Sequence, residues 1–147
     1  MKKVVILNLC ALILILLTAG VYAGPDTDSE TIASLLESRI AILNHYYGGK
    51  MSFKDAQSNM QRIVSDSLLK EDVKLMKAFD GDDVDQVASF HLNVVSCQRT
   101  SYGIIKGQAE ICWLMQGENG RWNTEESYYF TAEDNQGTVK LTQLKKL

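Results

Sequence analysis

Near residue 85 the apolar residues of this chain change their period, and that change limits the available folds more than any other feature of the sequence. Before it, apolar side chains recur every three or four residues, the spacing of one helix face. After it they alternate one by one, as on a pleated strand with a single buried face. Ile32, Leu35, Leu36, Ile40, Leu43 and Tyr47 make the first helical stripe. Thr27 reads as its N-cap with Glu30 at N3, a capping box. Pro25 reads as part of an irregular leader, and Gly48-Gly49 as the helix end, because glycine tolerates left-handed backbone. Ser52 with Asp55 three residues on predicts a second start, followed by the stripe Phe53, Ala56, Met60, Ile63, Val64 and Leu68. The pattern loosens over 67–72, and Val73, Met76 and Phe79 predict a separate short helix. Residues 80–85 (Asp-Gly-Asp-Asp-Val-Asp) break it.

Four strands follow. Phe90, Leu92 and Val94 alternate with His91, Asn93 and Val95, and Ala109, Ile111, Trp113 and Met115 alternate with Glu110, Cys112 and Leu114. These predict strands over 87–98 and 104–116, turning at 100–103. Gly117-Glu118-Asn119-Gly120 is a hairpin turn. Trp122, Thr124, Glu126, Tyr128 and Phe130 share one face of a third strand, and Asn135-Gln136-Gly137 turns the chain into a fourth over 139–144. Consecutive strands with short turns give an antiparallel meander. The fold class is therefore α+β: two or three N-terminal helices packed on a four-stranded antiparallel meander sheet, with the second sheet face left open or curled around a pocket.

Ahead of the helices, Lys2-Lys3 precedes an apolar run from Val4 to Ala19, which ends in Gly20-Val21-Tyr22-Ala23. Basic, apolar and then small is the order of a bacterial signal peptide, with cleavage after Ala23. The rival is an uncleaved anchor, since 4–23 would make a helix of about 30 Å. Either way the expected division is 1–23 as leader and 24–147 as one exported domain, secreted or at the cell envelope, touching membrane only through the leader if it is retained. Leu7-Asn8-Leu9-Cys10 fails as a lipobox because Leu9 is too large, so Cys10 reads as an ordinary apolar residue.

Removing 23 of 147 residues, two of them lysines, leaves 13 of the 15 basic residues against 18 acidic ones, a net charge of about −5. That excludes a nucleic-acid surface, which needs clustered positive charge, and disfavours anionic lipid. Cys97 and Cys112 remain in the domain, and outside the cytoplasm an even pair invites a disulfide. In the hairpin register above, however, Cys97 faces about Lys106 and Cys112 faces about His91, some 20 Å apart at about 3.3 Å per residue. A bridge forms only if the loop widens to about 99–107 or a bulge shifts the register. Otherwise two buried free thiols remain. No spacing joins these cysteines to His45 or His91 as a metal site.

No motif in the chain specifies catalysis, a cofactor or a metal. The acidic run starting at Asp80 fails as a calcium loop, because position 5 is Val84 and position 12 is His91. Gly49-Lys50 lacks the flanking residues of a phosphate loop. His45, near the end of the first helix, is explained by the helix dipole. His91 could act as a general base oriented by Glu110 on the neighbouring strand. Trp113, Trp122, Tyr128, Tyr129 and Phe130 are the densest group of large side chains. Core packing accounts for most of them, but Tyr129 has the opposite parity from Tyr128, so one of those faces is free for contact.

Helices first, then four strands with the aromatic third strand from Trp122 to Phe130, resemble the cone-shaped or cystatin-like rolls of the nuclear-transport-factor-2-like superfamily over about 28–145. The resemblance implies a sheet wrapped around a cavity for small ligands, protein contacts or, in a minority, catalysis. The inhibitory Gln-x-Val-x-Gly loop of true cystatins is absent. The expectation is a non-enzymatic exported domain binding an unidentified protein or small apolar ligand, through Trp113, Trp122, Tyr128, Tyr129, His91 or Glu110. The alternatives are a small cone-fold enzyme using His91 and Glu110, or a subunit of a surface assembly offering the edge strand 139–144.

Overall fold

The computed structural model describes residues 25–79 and 85–147. The leader 1–23, with Cys10, and most of the acidic breaker (80–84) lie outside the described residues. Three helices, α1 (Pro25–Tyr47), α2 (Phe53–Ile63) and α3 (Asp66–Ala78), precede strands β1 (Gln86–Arg99), β2 (Ile104–Gly117), β3 (Gly120–Asn135) and β4 (Thr138–Lys146). The strands form one antiparallel sheet in the order β1-β2-β3-β4. The fold is α+β, as the change of period predicts.

Helix α1 differs from expectation at its start. Thr27 lies inside the helix, not at its cap, and its carbonyl accepts the Thr31 hydroxyl at 2.7 Å. Pro25 belongs to the helix and not to an irregular leader; proline suits a first turn, where no N–H is required. The other end matches the glycine signal. Gly49 has φ of 68°, the Gly49 N–H donates to the Tyr46 carbonyl at 3.0 Å, and the Lys50 N–H donates to the His45 carbonyl at 2.8 Å. Together these two bonds make a Schellman cap. At the head of α2, the Ser52 hydroxyl donates to the Asp55 carboxylate at 2.7 Å and accepts the Asp55 N–H at 3.2 Å. The reciprocal pair fixes the start that the sequence marks.

The break after α2 falls at Val64-Ser65, ahead of the predicted 67–72. Val64 leaves the helix in an extended conformation and bridges Leu141 of β4, and the Ser65 N–H donates to the Leu141 carbonyl at 2.7 Å. Lys140 adds a bond from its Nζ to the Gln61 carbonyl at 2.8 Å. The β4 edge expected to face a neighbouring subunit is thus covered at its centre by the chain's own α2–α3 corner. At the opposite edge, the Asn44 side chain donates to the Val87 carbonyl and accepts the Val87 N–H, both at 3.0 Å. It clamps the last turn of α1 to the start of β1.

The core fills the space between the helices and one sheet face. Ile32, Leu36, Met60, Val64 and Leu68 meet Ile105, Ala109, Phe130, Ala132 and Leu141 there, all buried. Each large member stabilises the fold by about 1.5–3 kcal/mol on burial. A second cluster, Tyr46, Ala56 and Met76, locks the helices together, with Phe53 edge-on to Tyr46 at 6.1 Å. Two ion-pair systems tie the layers. Arg39 of α1 holds Asp72 of α3 through both Nε and Nη2, and Asp72 is 1% exposed. Arg99, at the end of β1, holds Asp28 of α1 at 2.8 and 2.5 Å and Asp134 of β3 at 2.7 Å. Those two carboxylates raise the Arg99 pKa further, so this fork stays charged.

Strand β1 carries register shifts between Val87 and Ser89 and between Val94 and Ser96. The second brings the Ser96 carbonyl over Gly107, where an added Cβ would lie 1.9 Å from that oxygen and 2.8 Å from the Phe130 ring. Only glycine fits there.

Cys97 pairs with Gly107 and Cys112 with His91, close to the predicted register. The Cys97–Cys112 bridge is not formed, and both thiols are free. Cys97 is half-buried on the helix-covered face, whereas Cys112 is exposed rather than buried.

Candidate functional site

The sheet is wider at one end than at the other. β4 pairs with β3 only from Tyr128 to Asn135, so the stretch of β3 from Gly120 to Glu126 has β2 on one side and no paired strand on the other. Where β4 runs out, Val87, Trp113, Met115, Thr124 and Glu126 line an open cavity of about 260 Å³. All five belong to the face that carries the core, by cross-strand pairing of Val87 with Met115, Trp113 with Thr124, and Ile111 with Glu126. Phe90 packs beside Trp113 with ring centroids 6.1 Å apart. Trp122, opposite Met115, is 40% exposed and lines a neighbouring cavity with Gln86 and Gln116.

Glu126 is the charged group of this cavity. Its Oε1 accepts from Lys146 Nζ at 2.5 Å and its Oε2 accepts from the Tyr128 hydroxyl. Lys146 first, then Tyr128, hold the carboxyl below the usual carboxylate range, and burial opposes them. Tyr128 shifts upward, first because it is desolvated and then because its proton is held by Glu126. The Trp113 indole N–H is fully buried and makes no hydrogen bond. It lies close enough to Glu126 to favour the ionised form slightly, without the geometry of a bond. A buried donor left without a partner is rare in a settled core and draws notice to this place.

The arrangement is poorly suited to proton transfer. A general base needs a pKa near the working pH and a free lone pair facing substrate. Glu126 has a lowered pKa and both oxygens engaged, and a phenol pushed upward is a poor acid. What the cavity offers is an apolar wall with a fixed negative charge.

The six residues singled out from the sequence divide between the two faces of the sheet. Trp113 lines the cavity, Tyr128 reaches it through its bond to Glu126, and Trp122 shares the sheet face but lines a neighbouring cavity. His91, Glu110 and Tyr129 lie on the opposite face, over which no described helix packs. His91 pairs with Cys112 and Glu110 with Asn93, and no hydrogen bond or ion pair joins the two, so they form no acid–base couple. Sequence reasoning passed over Val87, Met115, Thr124, Glu126 and Lys146. Glu126 had a signal: a carboxylate among Trp122, Thr124, Tyr128 and Phe130 on a single strand face. Lys146 had none, because its place depends on the β3–β4 register. Among the described residues no three histidine, cysteine, aspartate or glutamate side chains gather as a metal site, and no helix is long and apolar enough to cross a membrane.

No protein-family model matches the chain, and no curated protein matches it. Solved structures do. The intermembrane-space region of the chloroplast protein ARC6 superposes with a TM-score of 0.64 at 12% identity, covering 82% of this chain and 96% of that one. A designed β-sheet protein solved by NMR matches at a TM-score of 0.40 and 13% identity, over 83% and 88% of the two chains. At this identity the ARC6 likeness shows a shared α+β fold and nothing finer.

Proposed function

We propose that this protein is an exported domain, secreted or held at the cell envelope, that works by binding and not by catalysis, and that it binds at the Trp113–Glu126 cavity. One observation carries the reading: a mostly apolar cavity on the part of the core-bearing sheet face that the core leaves unfilled, whose single carboxylate is restrained by Lys146 and Tyr128. Ligand sites are of this kind, apolar walls with a few placed polar groups. The basic-apolar-small order of 1–23 supports export. The roll of helices against a meander supports a kinship in architecture with the nuclear-transport-factor-2-like and cystatin-like folds. The like-folded ARC6 region is itself an intermembrane-space segment, which fits an envelope setting.

The chain has two tryptophans, so its indole N–H region in a ¹H–¹⁵N spectrum holds two peaks, Trp113 from the cavity wall and Trp122 from opposite the lining residue Met115. Titration with a set of small apolar and amphiphilic compounds is expected to move both peaks while the His91 amide on the far face stays in place. If no compound moves either indole, the binding reading is wrong. His91→Ala should leave any binding intact.

A further inference from the structure

We propose that the ligand of this cavity carries a small organic cation, a quaternary or alkylated ammonium group. The inference rests on reading the cavity as a binding site and names what enters it. Three observations converge. First, the walls are the Trp113 indole, the Met115 thioether, and the methyl groups of Val87 and Thr124, with the Phe90 ring tilted against Trp113. Tryptophan is the aromatic ring best able to attract a cation, and alkylation strips an ammonium of its N–H donors, all of them in the quaternary ion, so that apolar aromatic walls suit it. Second, the only charged lining residue is Glu126, and it stays ionised well below neutral pH. An anionic ligand would face that charge at close range, and a neutral one would leave it unused. Third, the chain already places an ammonium there. Lys146 Nζ sits 2.5 Å from Glu126 Oε1, yet the Lys146 side chain is 61% exposed. It can swing into water without uncovering core, which makes it a tethered stand-in that a better-fitting cation displaces. The nearby Arg39 does not oppose this, because its guanidinium is engaged by Asp72.

A cavity of about 260 Å³ lies just below the usual range of roughly 300–1,000 Å³ for ligand sites, which suits a head group and not a large molecule. The probe is therefore choline, compared with neohexanol, in which a carbon atom replaces the ammonium nitrogen and the shape is kept. Both are titrated into the exported domain while the Trp113 and Trp122 indole peaks are followed. Choline is expected to bind more tightly by about an order of magnitude, the contribution of a desolvated cation–π contact with a paired carboxylate. Lys146→Ala should tighten choline about twofold to fivefold, the worth of the exposed ion pair it removes. Glu126→Gln, which keeps the side-chain volume, should erase the preference. Equal binding of the two compounds, tighter neohexanol, or weaker choline binding by Lys146→Ala would each overturn the cation assignment while leaving the cavity a binding site. If neither compound binds, the cation assignment fails, and the wider compound set decides whether the binding reading fails with it.

Discussion

Replacing Asp72 by alanine tests what organises the helical layer. Asp72 is 1% exposed and receives both Nε and Nη2 of Arg39, whose own side chain is 15% exposed. Two effects compete when such a pair is disturbed. Burying both charges carries a desolvation cost, so removing both is close to neutral. Removing one leaves the other buried and uncompensated, which costs about 3–5 kcal/mol. At 15% exposure Arg39 regains little hydration where it stands, so the second effect wins. The loss is large against a total of about 5–15 kcal/mol for a domain. With a urea slope of about 1–3 kcal/mol per molar, the unfolding midpoint should fall by about 2 M. Urea titration followed by far-ultraviolet circular dichroism and tryptophan emission reads it directly. Arg39→Met with Asp72→Leu should recover most of the loss. A cost below about 1 kcal/mol for Asp72→Ala, the range of exposed pairs, would refute the reasoning. So would a double variant less stable than the single one.

Two further outcomes follow from the geometry. Gly107→Ala should cost about 3 kcal/mol, the upper part of the overpacking range, because its Cβ meets the Ser96 carbonyl at 1.9 Å and backbone must move; a thermal midpoint unchanged within error would show that the bulge relaxes freely. Stability should also fall at both pH extremes. Glu126 and Asp134 have lowered pKa values, so their contribution is present above the unfolded carboxylate pKa of about 4 and is lost as pH drops through the folded values. Tyr128 is raised, so its contribution is complete below about pH 10 and is lost as pH climbs towards the folded value. Tyr128→Phe should remove part of the alkaline loss in urea titrations above pH 10, and an identical alkaline profile would show that another group governs it.

The sheet could be read from the sequence because its information is local. Alternation gives each residue its face, and the turns at 100–103, 117–120 and 135–137 fix which strands meet. The pairing of Cys112 with His91 follows from those two facts alone. The helical boundaries were harder. Pro25 and Thr27 compete for the start of α1, and a capping-box pattern inside a longer helix resembles a true start. The end of α2 is set by Val64 docking on Leu141, 77 positions later, which no window of local sequence contains. Asp72 falls in the stretch where the helical pattern loosens, and its partner Arg39 lies on another helix. The candidate site divides in the same way. Trp113, Trp122 and Tyr128 were identifiable by size and parity. Glu126 is marked by its aromatic neighbours on one strand face, whereas Lys146 acquires its meaning only once β4 is seen to end opposite Tyr128.

The concavity that makes the site has its own cause in the chain. Helix α1 is tied to β1 at both ends, through Asp28 to Arg99 and through Asn44 to Val87. Between those ties the helix rises about 24 Å at about 1.5 Å per residue, whereas the strand runs about 40 Å at about 3.3 Å per residue. The long Arg99 side chain takes up part of the difference. The two register shifts of the strand are where an extended chain can bend towards the helix and take up the rest. A sheet bent over one helix is concave on that face, and the core fills only the part that the helices and β4 reach together. The unfilled part is the Trp113–Glu126 cavity. The site therefore follows from a mismatch in length between two elements clamped at both ends, and the carboxylate placed there on β3 gives it a charge.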